Sequence, residues 1–187
     1  MIEQILNKEL REANLKAYED ESFNEFTPNN ILSTSNKLKI AFIGNSLTLH
    51  GPAPAIGWNN DCGMAASNTN TDFAHLLASK LGLIDNDIFV GNFTELERVD
   101  IRNNNEQFTL LKEVFDKKPV ITIIQLGDNI SDNEQLQHFQ NNLQLLMPDI
   151  KNKSSNIFLL STWWENAVKD FIIKNICDSF QTHYIYR

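Results

Sequence analysis

The spacing of hydrophobic positions changes character at about residue 37. Before that point Ile2, Ile5, Leu6, Leu10, Ala13 and Ala17 recur at roughly helical intervals, until Thr27-Pro28-Asn29-Asn30 interrupts them. Residues 1–36 therefore read as a helical arm plus linker, and residues 37–187 as the main domain. From Lys37 onward, short apolar runs alternate with amphipathic stretches. Leu38 to Ile43 reads as a buried strand that stops at Gly44. After a long polar, Gly/Pro-rich insertion, Phe73, Leu76, Leu77 and Leu81 mark a helix that Gly82 can end. Asp87 to Val90 supplies a second strand, and Phe108, Leu111 and Phe115 a second helix ending before Pro119. Val120 to Leu126 is β-branched and nearly continuous in apolar character, as expected of a strand covered on both faces. Ser131-Asp132-Asn133-Glu134 has the form of a capping box, in which Ser131 starts a helix carrying Leu136, Phe139, Leu143 and Leu146 on one face. A fourth strand over Asn156–Leu160, a helix marked by Val168, Phe171, Ile172 and Ile176, and a fifth strand from His183 to Tyr186 complete the pattern.

Strands that alternate with helices predict an α/β fold: a mostly parallel sheet, right-handed crossovers and helices on both faces. In such sheets ligands bind beyond the carboxyl ends of the strands. The segments 44–48, 91–98 and 127–131 each follow a strand end, so they are expected side by side.

Composition adds exclusions. Hydrophobic residues make up 42% and charged residues 21%, the balance of a globular domain. A formal net charge of −8, with no Lys/Arg cluster, argues against nucleic acid or an anionic membrane as partner. Residues 1–26 hold seven acidic and three basic side chains, so half of that charge lies in the arm. No apolar run is long enough to span a bilayer, and the start lacks a basic region followed by an apolar one, so the chain reads as cytoplasmic. Cys62 and Cys177 are far apart and lack metal-ligand spacing, which makes them free thiols; no metal and no cofactor is expected.

The chemistry concentrates at two loops. Gly44-Asn45-Ser46-Leu47-Thr48 places a serine two residues past a buried strand, on a turn that projects its hydroxyl into the crevice. A nucleophilic serine needs that exposure, a base, and donors aimed at the charge developing on the attacked carbonyl. The same turn alone could instead hold phosphate on its N–H groups or cap a helix. Gly127-Asp128-Asn129 follows a different strand and can deliver the Asn129 amide to the same crevice as an oxyanion donor.

Together these segments resemble the SGNH (GDSL-like) hydrolase family over roughly residues 37–187. The first resembles the family's Gly-Asp-Ser-Leu block, with Asn45 in place of Asp; the second resembles its Gly-x-Asn-Asp block, with Ile130 in place of the last Asp. The resemblance implies a three-layer α/β/α flavodoxin-like sandwich and hydrolysis of an ester, often an acyl group on a carbohydrate or lipid. It implies Ser46 as nucleophile, and Asn129 with the Ser46 N–H and a second-block N–H as the oxyanion hole. Asn92 would hold the place of the second block's Asn, although the glycine expected beyond it is absent and Phe93-Thr94-Glu95-Leu96-Glu97-Arg98 follows. Glu97 and Arg98 read as a solvated pair.

The family's Asp-x-x-His block, which supplies the base and its orienting carboxylate, follows the fifth strand. The expectation is a domain incomplete at its C-terminus, impaired alone and completed by a chain that supplies that segment. Asp178 and His183 precede the loop where the dyad belongs, and His50 shares the loop of Ser46; none is expected to substitute. Trp58, in the long insertion, reads either as a platform for a sugar ring or as a buried anchor. Other readings are a non-catalytic remnant that binds a carbohydrate or partner, an O-acyltransferase on the same scaffold, and a nucleotide-binding module, which would lack Gly-x-Gly-x-x-Gly and a P-loop.

Overall fold

The computed structural model describes residues 38–186, so the arm and linker at 1–36 lie outside the described residues. Five strands, β1 (Ile40–Gly44), β2 (Ile88–Asn92), β3 (Ile121–Gln125), β4 (Asn156–Leu160) and β5 (His183–Ile185), form one sheet in the order β2-β1-β3-β4-β5. Every pairing is parallel. Four α-helices connect them: α1 (Phe73–Lys80), α2 (Asn105–Asp116), α3 (Asn133–Lys153) and α4 (Ala167–Phe180). This is the parallel α/β sheet that the alternating pattern predicts, in the flavodoxin-like arrangement that the resemblance implies.

The period-two alternation of each strand divides the core into two clusters. Ala41, Ile43, Phe89, Ile124, Ile157 and Leu159 point to one face, where they pack against Leu111, Val114 and Phe115 of α2, Phe139, Leu143 and Met147 of α3, and Ile173 and Ile176 of α4. Ile40, Phe42, Ile88, Val90 and Ile123 point to the other, where Ala74 and Ala78 of α1 and Leu49 meet them. The interior strand β1 is buried at every position, because both faces and both edges are covered. Cys62 and Cys177 are buried free thiols.

The observed elements depart from expectation in two useful ways. Strand β2 runs on to Gly91 and Asn92, residues of low strand propensity, because Ile43 and Gly44 of β1 pair with them. The N-cap of α3 is Asp132, not Ser131: the Asp132 carboxylate accepts from the Gln135 N–H, while Gln135 reaches back to the Ser131 N–H at 2.8 Å. Aspartate caps as well as serine, and the box is displaced by one residue. Among the described residues no helix is long and apolar enough to cross a membrane.

Candidate active site

Strands β1, β2 and β3 end level with one another, Gly44 opposite both Asn92 and Gln125, so the loops that follow emerge side by side. After β1 the chain turns at once: the Asn45 carbonyl accepts from the Thr48 and Leu49 N–H groups, and Asn45 Oδ1 accepts from the Leu47 N–H at 2.9 Å. The turn demands glycine at 44 on grounds of space. A Cβ there would lie 1.8 Å from Thr48 Oγ1 and 3.0 Å from the Gln125 carbonyl oxygen. Ser46 sits at the tip, partly exposed, and among the described residues neither its N–H nor its hydroxyl has a hydrogen-bonding partner.

The loop after β3 bends at Gly127, whose φ of +116° lies where side chains are strained. It presents Asp128 buried and Asn129 partly exposed. Beneath the two loops lies a web of buried polar groups. Asn45 Nδ2 donates to Glu97 Oε1 at 3.0 Å and to Asp128 Oδ2 at 3.2 Å. Glu97 Oε1 also accepts from the Gly127 N–H at 2.6 Å, and Oε2 from the Asn129 N–H at 2.9 Å. Gln125 Nε2 donates to Asp128 Oδ2 at 2.6 Å, and its Oε1 accepts from the Thr48 hydroxyl at 3.1 Å. Asp128 Oδ1 takes the Trp163 N–H at 2.8 Å, which brings in the loop after β4. Four strand-end loops thus meet on two carboxylates.

Both carboxyls have pKa values above the ordinary range. For Glu97 the chief cause is complete burial, followed by the charge of Asp128; hydrogen bonds from Asn45, Gly127 and Asn129 oppose the shift. For Asp128 burial again dominates, opposed by Asn45, by the Trp163 and Trp164 N–H groups and by the Lys169 charge. The expectation that Glu97 forms a solvated pair with Arg98 is therefore wrong: Glu97 is 0% exposed. Carboxylates are rarely buried without partners, and here backbone N–H groups from a loop thirty residues away supply them, which no local pattern displays.

Asn92 lies at the end of β2 beside the site, and its side chain is engaged at both ends. Its Nδ2 donates to the Leu49 carbonyl at 2.9 Å, tying β2 to the exit of the Ser46 turn, and its Oδ1 accepts from the Thr94 N–H and hydroxyl.

The remaining sequence candidates are engaged in other contacts. His183 opens β5 and stacks on Phe158, three strands from β1, a lateral separation of about 14 Å at the usual strand spacing. Asp178 pairs with Lys174 on the surface of α4. His50 is buried, its Nδ1 2.6 Å from the Gly51 carbonyl oxygen, and burial lowers its pKa. Trp58 is half-buried; its Nε1 donates to the His50 carbonyl, so the insertion is anchored to the strand end it follows. Trp163 is 44% exposed at the rim. Among the described residues no group of His, Cys, Asp or Glu is arranged to hold a metal ion.

No family model matches the chain, and no curated protein does either. Among solved structures it is similar to a point mutant of Axe2, an acetyl-xylooligosaccharide esterase from Geobacillus Stearmophilus. Identity is 15%, the match covers 82% of this chain and 77% of that one, and the TM-score is 0.50. The likeness is one of fold, and it agrees with the SGNH-like fold anticipated from the two loop motifs.

Proposed function

We propose that this chain carries a serine-esterase site of the SGNH type, acting on the acyl group of an acylated carbohydrate. Ser46 is the nucleophile, and the Ser46 N–H and the Asn129 amide are oxyanion donors. The observation that carries this reading is the joining of the two loops: Asn45 and Asp128, the residues before Ser46 and Asn129, are in direct hydrogen-bond contact, and among the described residues the Ser46 N–H and hydroxyl are left without protein partners. A reactive serine and an amide donor held over the carboxyl ends of β1 and β3 is the arrangement that acyl transfer requires. The esterase named among solved structures supports the substrate class.

In the reaction Ser46 Oγ attacks the ester carbonyl as a base takes its proton. Negative charge collects on the carbonyl oxygen against the Ser46 N–H and Asn129, and the alcohol departs with a proton from that base. Water then releases the acid from the acyl-serine. Asn92 serves by holding the exit of the Ser46 turn to β2. The base we assign is an imidazole from an Asp-x-x-His segment, following β5 or carried on a second chain, since Asp178 pairs with Lys174 and His183 stands three strands from β1, stacked on Phe158.

The test is hydrolysis of p-nitrophenyl acetate by this chain and by Ser46→Ala, each with and without a peptide containing Asp-x-x-His. Turnover that requires the peptide and falls by a factor of ~10³ or more in Ser46→Ala is expected. Equal turnover by both proteins would remove Ser46 from the reaction, and turnover without the peptide would remove the external base.

A further inference from the structure

The web beneath the site contains one side chain that holds both halves of the oxyanion-binding frame. We propose that Glu97 is a positioning residue: its carboxylate clamps the Gly127–Asn129 loop to the Ser46 turn and so sets where the Asn129 amide stands relative to Ser46. This rests on the esterase reading of the same crevice.

The geometry is specific. Of the two carboxylate oxygens, Oε1 holds Asn45 Nδ2 and the Gly127 N–H, and Oε2 holds the Asn129 N–H. The Asn129 side chain is also near enough to lower the Glu97 pKa. An amide nitrogen carries two N–H groups, so one can rest against Glu97 while the other serves an oxyanion. A carboxylate accepts and does not donate, so this contact also decides which end of the Asn129 amide lies toward it.

The clamp explains the residue at 45. Asparagine there uses its oxygen to close the turn on the Leu47 N–H and its nitrogen to meet Glu97 and Asp128. An aspartate could close the same turn, but it would place a third carboxylate against two that are already buried without a cation in their hydrogen-bond sets. Glutamate at 97 and asparagine at 45 therefore form a matched pair. Glu97 reaches its position because the short 3-10 turn Thr94–Glu97 is itself fixed, with its Leu96 carbonyl taking Asn142 of α3 at 3.0 Å.

A distinct pattern is expected across three variants of the whole chain: Glu97→Gln, Asn45→Asp, and the two substitutions combined, where the amide introduced at position 97 can donate to the carboxylate introduced at position 45. Two readouts are needed. The first, independent of turnover, is the position of the Gly127 and Asn129 backbone amides in ¹H–¹⁵N spectra, together with their hydrogen exchange. In the wild type both amides are expected downfield and protected; in Glu97→Gln both move and exchange faster, while amides in β4 and β5 stay in place. The second is p-nitrophenyl acetate turnover with the Asp-x-x-His peptide. Displacement of a donor by about 1 Å costs up to ~10²-fold. Glu97→Gln should therefore lower kcat by roughly ten- to a hundredfold with KM little changed, and Asn45→Asp should lower it at least as far. The double variant should recover part of the loss.

Unmoved Gly127 and Asn129 amides in a folded Glu97→Gln protein would overturn the clamp. So would unchanged kcat in that variant when the wild type turns over through Ser46, or a double variant no better than Asn45→Asp alone. Failure of the esterase reading looks different: no Ser46-dependent turnover in the wild type, with the two amides still shifting in Glu97→Gln. That result would leave Glu97 as the clamp of a binding crevice.

Discussion

The two ends of the sheet are finished differently on the α1 face. Over β2 and β1 that face is closed: Ile88, Val90, Ile40 and Phe42 are all fully buried, with Phe42 meeting the Phe73 ring edge-on at 5.9 Å. Over β3, β4 and β5 the cover thins among the described residues. Ile123 is 8% exposed, Phe158 and Leu160 are half-buried, and Ile185 reaches 41%. The opposite face shows no such gradient, because α2, α3 and α4 cover it from β2 to β4. Ser46, Asn129 and the carboxylate web stand at the border of the two ends, after β1 and β3. The carboxylate web thus joins the closed end to the first strand of the thinner one, through Asn45 after β1, Glu97 after β2 and Asp128 after β3.

Substitutions can break or sharpen this comparison. The largest effect is expected from truncating one aromatic at each end. Phe42→Ala should cost about 3–5 kcal/mol in urea unfolding, as fully buried rings do, and Phe158→Ala roughly 1–2 kcal/mol, since part of its ring already meets solvent. Equal losses would mean that the sheet is closed over β4 after all.

An intermediate effect concerns the buried carboxyls. Groups whose folded pKa is raised contribute stability that is complete below the unfolded pKa, near 4, and lost as pH rises through the folded value. Glu97 and Asp128 both belong to this class, facing each other across Asn45 with Lys169 as the nearby cation. The destabilisation caused by Glu97→Gln should therefore be greatest at pH 4 and shrink toward pH 8, by about 1.4 kcal/mol for each unit of raised pKa. A penalty that grows with pH would mean that the fold favours the charged carboxylate instead. The smallest effect belongs to the open edge: Ile185→Thr should change stability by about 0.5 kcal/mol or less, read as an unfolding midpoint within a few degrees of the parent.

Much of the closed end was legible in the sequence, because its signals are local. The apolar runs marked every strand, Gly44-x-Ser46 and Gly127-x-Asn129 marked two loops, and the parallel arrangement put those loops together. What stayed hidden depends on partners remote in sequence. Glu97 looks like any surface glutamate, and its burial is visible only once the Gly127 and Asn129 N–H groups are seen to need an acceptor. One clue was present: the asparagine at 45, where the resembling motif has aspartate, is the residue that a neighbouring carboxylate selects. Asn92 was read for its position in a motif, whereas its two side-chain contacts are with Leu49 and Thr94.

The strand order also sets when the site comes into being. Neighbours β3, β4 and β5 follow one another along the chain, but β1 must wait for β3, with Ile40 aligned on Ile121. The bond from Asn45 to Asp128 closes 83 residues of separation. Long closures of this kind retard folding, because chain entropy is lost before contacts repay it. During synthesis the Ser46 turn emerges before its partners, can meet Glu97 and Asn92 once the second strand is made, and gains Asp128 only with the third. Assembly of the joined loops is then a late event in the life of the nascent polypeptide, and any delay in capturing β1 leaves its apolar edge exposed to other chains.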